Sequence, residues 1–159
     1  MIVLKLLCLL LVANGMPVLA RRYLGEFWSS PIDVGSLFFD GKRWLGASKT
    51  WRGVFGSILG CAAVGPILGL GAGFATVFGI LAMMGDLASS FVKRRLGMPD
   101  SARATGLDQL PESLLPVLVG RYWLDYGLAQ ALATAALFVA FDILLSPLLH
   151  RLRIRREPY

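Results

Sequence analysis

Long apolar runs alternate with short polar ones along the chain, and the lengths of the apolar runs predict helices that cross a membrane. The first run, "MIVLKLLCLLLVANGMPVLA", is interrupted by Lys5 and Asn14 and holds Pro17 as a possible bend. The stretch from Val54 to Leu87 carries no charge before Asp86 and is too long for one straight span. The glycines of "GPILGLGAG" divide it into helices over 52–68 and 72–93. A weaker fourth span is expected over 114–124, with a start nearer Leu110 as the alternative, and Arg121 and Asp125 mark it as the least regular. A fifth runs over 128–149. Polar segments at 21–52 and 93–113 and the basic tail "HRLRIRREPY" separate or follow these runs.

Composition supports the same picture. The 159 residues are 56% hydrophobic and 16% charged with a mean hydropathy of +0.65, too apolar for a soluble domain, whose residues are about a quarter charged. The expected fold is all-α: a polytopic integral membrane helical bundle of about five transmembrane helices, one domain over 1–159, whose cytoplasmic loops form a polar site. The start also reads as a signal peptide with Val18-Leu19-Ala20 before the cleavage point, but Arg21 and Arg22 directly after it favour an uncleaved helix. No internal repeat or low-complexity segment is present.

The formal charge of +6 would suggest nucleic acid in a soluble protein, but the cations lie between apolar runs, where anionic headgroups and the positive-inside rule account for them. Nucleic acid is therefore not an expected partner. With five spans, the two polar loops and the tail share one side and hold 14 of the 16 Lys and Arg residues. That asymmetry places them in the cytoplasm, the N-terminus outside, and the chain in the inner (cytoplasmic) membrane. Cys8 and Cys61 lie in apolar runs and support neither a disulfide framework nor a metal site. His150, at the start of the tail, is read as a headgroup contact.

The segment "DGKRWLGASKTWRG", Asp40 to Gly53, looks at first like a phosphate loop. Gly41 and Gly46 have Walker spacing, yet Ala47 and Ser48 intervene before Lys49 and Thr50, and no β-branched run precedes them, so it is not a P-loop. Its Lys42, Arg43, Lys49 and Arg52 suit either an anion site or a solvated basic loop. Asp86 says more, because a carboxylate facing lipid at mid-depth costs about 2.5 to 3.5 kcal/mol. In "GDLASSFVKRR" it shares a helical face with Ser90 and Lys93, at i, i+4 and i+7. The plain alternative is a helix end snorkelling to the headgroups, with Asp86 paired to Lys93 or Arg94. Acids and cations clustered at Asp33 to Arg52, Asp86 to Arg95 and Asp108 match phosphoryl chemistry, in which Mg²⁺ takes one or two carboxylates plus phosphate oxygens while Lys and Arg neutralise the rest. No Ser-His-Asp or Cys-His set competes with that reading.

"PIDVGSLFFDGKRWLGASKTWRG", the following pair of apolar spans, "GDLASSFVKRRLG" and then "DQL" together resemble the CDP-archaeol synthase family, CTP-dependent membrane cytidylyltransferases related to CDP-diacylglycerol synthases. The resemblance runs from "ANGMPVL" to "SPLLH" and implies a five-helix bundle that converts CTP and a lipid phosphate to CDP-lipid and pyrophosphate with Mg²⁺. It assigns catalytic roles to Lys49, Arg52, Asp86 and Lys93, with Asp86 and Asp108 as Mg²⁺ ligands and Asp40 as a weaker one. Substrate binding falls to Asn14, Asp33, Arg43, Thr50, Ser90, Arg94, Arg95 and Gln109. Pro31, Gly41, Gly46, Trp51, Gly53, Gly85 and Leu110 also match. The chain departs from the family in its short link between spans two and three, in "LPES" after "DQ", and in Arg121. Two other readings remain: a non-enzymatic protein that grips anionic headgroups through its basic loops, and a small transporter, for which Asp142 and Arg121 are the only leads. The oligomeric state and the chain chemistry of the lipid are open.

Overall fold

A computed structural model describes residues 1–102 and 104–151, with side chains as far as Leu145; the expectations for the His150 side chain and for the basic tail beyond residue 151 fall outside these. Five helices follow in order: α1 (Ile2–Leu24), α2 (Trp51–Ile67), α3 (Ala72–Arg95), α4 (Gln109–Gly120) and α5 (Leu128–Arg151). Helix α1 runs past the expected end at residue 20 and takes Arg21 and Arg22 into its last turn, where cations oppose the negative end of the helix dipole. Helices α2 and α3 fall within two residues of their expected limits. The chain reverses between them at Gly69 and Gly71, whose φ of 68° and 77° favour glycine.

Helix α4 differs from expectation. It begins at Gln109, within one residue of the alternative start near Leu110 rather than at Leu114, and stops at Gly120 rather than Leu124. Pro111 and Glu112 lie in its first turn, where proline loses no helical hydrogen bond and an acid is favoured by the dipole. Its 12 residues extend only about 18 Å, short of the roughly 30 Å of bilayer hydrocarbon.

Among the described residues, three helices are long and apolar enough to cross a membrane, Ile2–Leu24, Ala72–Arg95 and Leu128–Leu145, and Trp51–Ile67 is a shorter apolar helix. The chain is thus an integral membrane protein with an all-helical bundle. Helix α3 packs against α1, α2 and α4, and α5 closes on α1 and α4. The core contains Leu6, Leu9, Leu10, Cys61, Phe74, Phe78, Val117 and Phe138, all buried. Leu4, Leu59, Ile67, Leu132 and Leu144 stay exposed on outer faces, as lipid-facing positions would. Between α1 and α2 the chain runs as an irregular loop with isolated antiparallel bridges, Pro31 with Thr50 and Leu37 with Arg43.

Candidate functional site

Asp33 builds the first loop. Its carboxylate accepts from the backbone N–H groups of Gly35 (3.1 Å), Leu45 (3.1 Å) and Gly46 (2.9 Å) and forms an ion pair with Arg43. Burial pushes this carboxyl up, but the Arg43 guanidinium and the three amides outweigh that and bring its pKa down to about 2. Arg43 is in turn raised by its hydrogen bond to Asp33. These two expected substrate-binding residues are engaged with each other and the loop backbone, and neither lines a cavity described below.

The loop is then fastened to the end of α3. Arg95 pairs with Asp40 at 2.6 Å and donates to the Arg43 carbonyl at 2.5 Å, and its guanidinium lies 4.6 Å from the Phe38 ring centroid and 4.9 Å from that of Phe91. Asp40 is thereby held at the rim by Arg95. It lines neither cavity, so the expected grouping of Asp40 with Asp86 and Asp108 as metal ligands is not assembled. A second fastening is Asp100, which sequence reasoning missed: it pairs with Arg94 and accepts from the Ala47 N–H at 2.9 Å. Gly46, with φ 99°, makes room for it, since a Cβ there would stand 2.5 Å from Asp100 Oδ1. Arg94 also donates to the Pro99 carbonyl at 2.7 Å.

These fastenings carry Lys49 over α3, where its Nζ lies 2.6 Å from both carboxylate oxygens of Asp86. Asp86 is thus paired with the loop lysine, not with Lys93 or Arg94 from its own helix. Lys93 pairs instead with Asp108 at 2.5 Å and donates to the Ala102 carbonyl at 3.2 Å. On either side of the Lys49–Asp86 pair is a cavity. The larger, about 380 Å³, is lined by Arg21, Lys49, Thr50, Arg52, Asp86 and Asp100 among others. The smaller, about 220 Å³, is lined by Asn14, Lys49, Asp86, Lys93, Asp108, Gln109, Glu112 and Asp142. Lys49 and Asp86 line both.

Around the larger cavity, Thr50 precedes the first turn of α2, and Arg52 donates to the carbonyls of Gly25 (2.5 Å) and Phe27 (2.8 Å) just past the end of α1. Around the smaller one, Asn14 Nδ2 donates to the Leu10 carbonyl at 3.1 Å, and Gln109 Nε2 donates to Asp142 at 2.9 Å. Ser90 is buried but lines neither cavity. Of the expected residues, the structure therefore brings Lys49, Thr50, Arg52, Asp86, Lys93, Asp108, Gln109 and Asn14 to the two cavities. It leaves Asp33, Asp40, Arg43, Ser90, Arg94 and Arg95 in the supporting framework.

Glu112 is the acid that the sequence reading passed over. It lies four residues after Asp108, one helical turn along, which is the signal that would have placed both on one face. Helix α4 reaches Asp86 because residue 85 is glycine: a Cβ at Gly85 would overlap the Pro111 carbonyl and stand 2.6 Å from Glu112 Cα. Among the described residues, no three His, Cys, Asp or Glu converge to enclose a metal ion by themselves. The four carboxylates on the smaller cavity are hard oxygen donors of the type Mg²⁺ accepts, and it needs only one or two of them when phosphates complete its shell. The donor set fits such an ion.

Comparison with known proteins agrees with this architecture. The CarS-like CDP-archaeol synthase family model matches residues 1–78 and 71–156. The CDP-archaeol synthase of Pyrobaculum arsenaticum is 32% identical over 169 aligned residues, covering 93% of this chain and 92% of the relative. That of Hyperthermus butylicus is 34% identical, over 94% of this chain and 90% of the relative. A solved structure of an intramembrane enzyme for archaeal membrane lipid biosynthesis superposes with a TM-score of 0.70 at 27% identity, covering 86% of this chain and 89% of that one. On the near-complete family match and relatives of this identity and coverage, the chain belongs to the CDP-archaeol synthase family.

Proposed function

We propose that the chain is a CTP-dependent cytidylyltransferase that converts a membrane lipid phosphate to a CDP-lipid and pyrophosphate. The observation that carries the reading is the Lys49–Asp86 pair, a cation and a carboxylate held at 2.6 Å where two polar cavities meet at the end of α3. CTP brings about four negative charges and the lipid phosphate nearly two, so the chemistry depends on positioning and counter-charge. In the reaction an oxygen of the lipid phosphate attacks the α-phosphorus of CTP, the bond from that phosphorus to the α,β-bridging oxygen breaks, and pyrophosphate departs. The nucleophile is already anionic near neutral pH, so no general base is required.

Lys49 and Arg52 face the larger cavity, where they neutralise the triphosphate, and Thr50 supplies a hydroxyl donor. Lys93 lines the smaller cavity together with Asp86 and offers the second cation. Asp86 and Asp108 would hold Mg²⁺, which supplies charge neutralisation at the phosphoryl oxygens when bound. Asp86 would release Lys49 on taking the ion, leaving that lysine free for the triphosphate. Arg94, Arg95, Asp40, Asp33 and Arg43 act through the loop they brace. The site faces the cytoplasm in this reading, with five crossings and the N-terminus outside, because the basic loops gather on the side where CTP is dissolved.

The test is pyrophosphate release by purified protein with Mg²⁺, CTP and a panel of lipid phosphates, beginning with the ether lipid that the names of the relatives point to. Release with CTP and none with ATP is expected. Silence across ether and ester lipids alike would overturn the assignment, and equal turnover with ATP would overturn the nucleotide.

A further inference from the structure

Four carboxylates, Asp86, Asp108, Glu112 and Asp142, and two lysines, Lys49 and Lys93, line the smaller cavity. Both lysines are taken, Lys49 by Asp86 and Lys93 by Asp108. Glu112 is 7% exposed, and among the described residues no hydrogen bond or ion pair reaches its carboxylate. The charged groups acting on it are Asp86 first, then Lys49, Asp142 and Asp108. A buried carboxyl with acids around it, and with Lys49 already engaged by Asp86, is costly to ionise unless another positive charge arrives.

The geometry places that cation. Glu112 sits on the α4 turn that touches α3 at Gly85, one residue from Asp86, and both side chains open into the same cavity. We infer that Glu112 is a direct ligand of the divalent cation, paired with Asp86 across the α3–α4 contact. This rests on the cytidylyltransferase reading and deepens it. Glu112 thereby takes the place given above to Asp108 as the second protein ligand: one carboxylate from each of two helices holds the ion, phosphate oxygens and water complete its shell, and Asp108 stays with Lys93 as a neighbouring charge. The "LPES" sequence, a departure from the family pattern, thereby carries a site residue.

The experiment is Mn²⁺ binding to the detergent-purified full chain without nucleotide, followed by the electron paramagnetic resonance signal of free Mn²⁺, with thermal melting in parallel. For the unaltered chain, saturable binding and a rise in melting temperature with Mn²⁺ are expected. In Glu112→Gln the apo protein should melt at or above the unaltered apo protein, since a buried acid with no bonded partner becomes a neutral amide of the same shape. Its Mn²⁺ affinity should fall at least about tenfold, because outer-sphere groups around metal sites are already worth about 10- to 100-fold. Glu112→Asp, which keeps the charge on a shorter stem, should recover part of that loss. Unchanged affinity in Glu112→Gln, or an equal loss in Glu112→Asp and Glu112→Gln, overturns the assignment of Glu112 while leaving the cytidylyltransferase reading intact. If the unaltered chain turns over CTP but binds no Mn²⁺ without nucleotide, the paired-carboxylate site is overturned; absence of turnover with every lipid phosphate marks failure of the underlying reading.

Discussion

Adding one methyl group at Gly85 tests whether the α3–α4 contact sets the site. In Gly85→Ala the new Cβ would overlap the Pro111 carbonyl and lie 2.6 Å from Glu112 Cα, where ordinary contact begins near 3.4 Å. Both obstacles are backbone, so no side chain can rotate away; the start of α4 must retreat by about 1 Å, at the roughly 1–3 kcal/mol that overpacking costs. That shift carries Asp108, Gln109 and Glu112 away from Asp86 and Lys49, which remain on α3 and the first loop. A misplacement of about 1 Å in a reacting assembly costs on the order of 10²-fold in rate. The expected result is a CTP-dependent pyrophosphate release about 100-fold below the unaltered chain, with melting lowered by only a few degrees. Gly120→Ala serves as the comparison, since it also strains a tight contact, against Tyr126 and Phe74, but away from both cavities. If Gly85→Ala retained turnover within twofold while remaining folded, the claim that close approach of α4 positions the site would be wrong.

Asp86→Asn should abolish turnover while preserving binding to anionic vesicles; retained turnover would remove Asp86 from the reacting site. Lys49→Met should lower kcat/KM for CTP by about 10²- to 10³-fold, the range found when a charge-stabilising donor is lost, measured at saturating lipid phosphate. Arg95→Lys keeps the charge but loses the forked contacts to Asp40 and the Arg43 carbonyl, so amide exchange across residues 36–46 should quicken and KM rise more than kcat falls. The folded pKa of Asp33, about 2, lies below its ordinary 3.8, so its stabilisation is full above that ordinary value and is lost as pH falls through the interval. It is worth about 2 kcal/mol at neutral pH, and limited proteolysis of the first loop should accelerate between pH 4 and pH 2 in the unaltered chain but show no such step in Asp33→Asn.

Helix limits were legible where the chain punctuates itself. Gly69 and Gly71 split α2 from α3, and Lys93 to Arg95 end α3, because a hydrocarbon interior tolerates neither polar turns nor unpaired charge. The start of α4 was legible only as the alternative near Leu110, because Pro111 and Glu112 resemble loop residues, although both are favoured in a first helical turn. Asp86 was legible from the cost of its burial, and Lys49 from its glycine-rich basic setting. Motif matching could not separate residues that face a ligand from those that brace the loop: Asp33 and Arg43 match as strongly as Lys49, yet they spend their polar atoms on each other. Glu112 and Asp100 gain meaning only from tertiary neighbours, a glycine on α3 for one and the Ala47 amide for the other.

The ties among Arg94, Asp100, Arg95, Asp40 and the Ala47 amide bear on how quickly a nucleotide is captured. A loop already immobilised by its own polypeptide surrenders little further freedom when the ligand arrives, so association should proceed in a single kinetic phase whose rate rises linearly with nucleotide concentration and falls with ionic strength. Cutting one tie would introduce a slow, concentration-independent step while leaving the encounter itself unaltered.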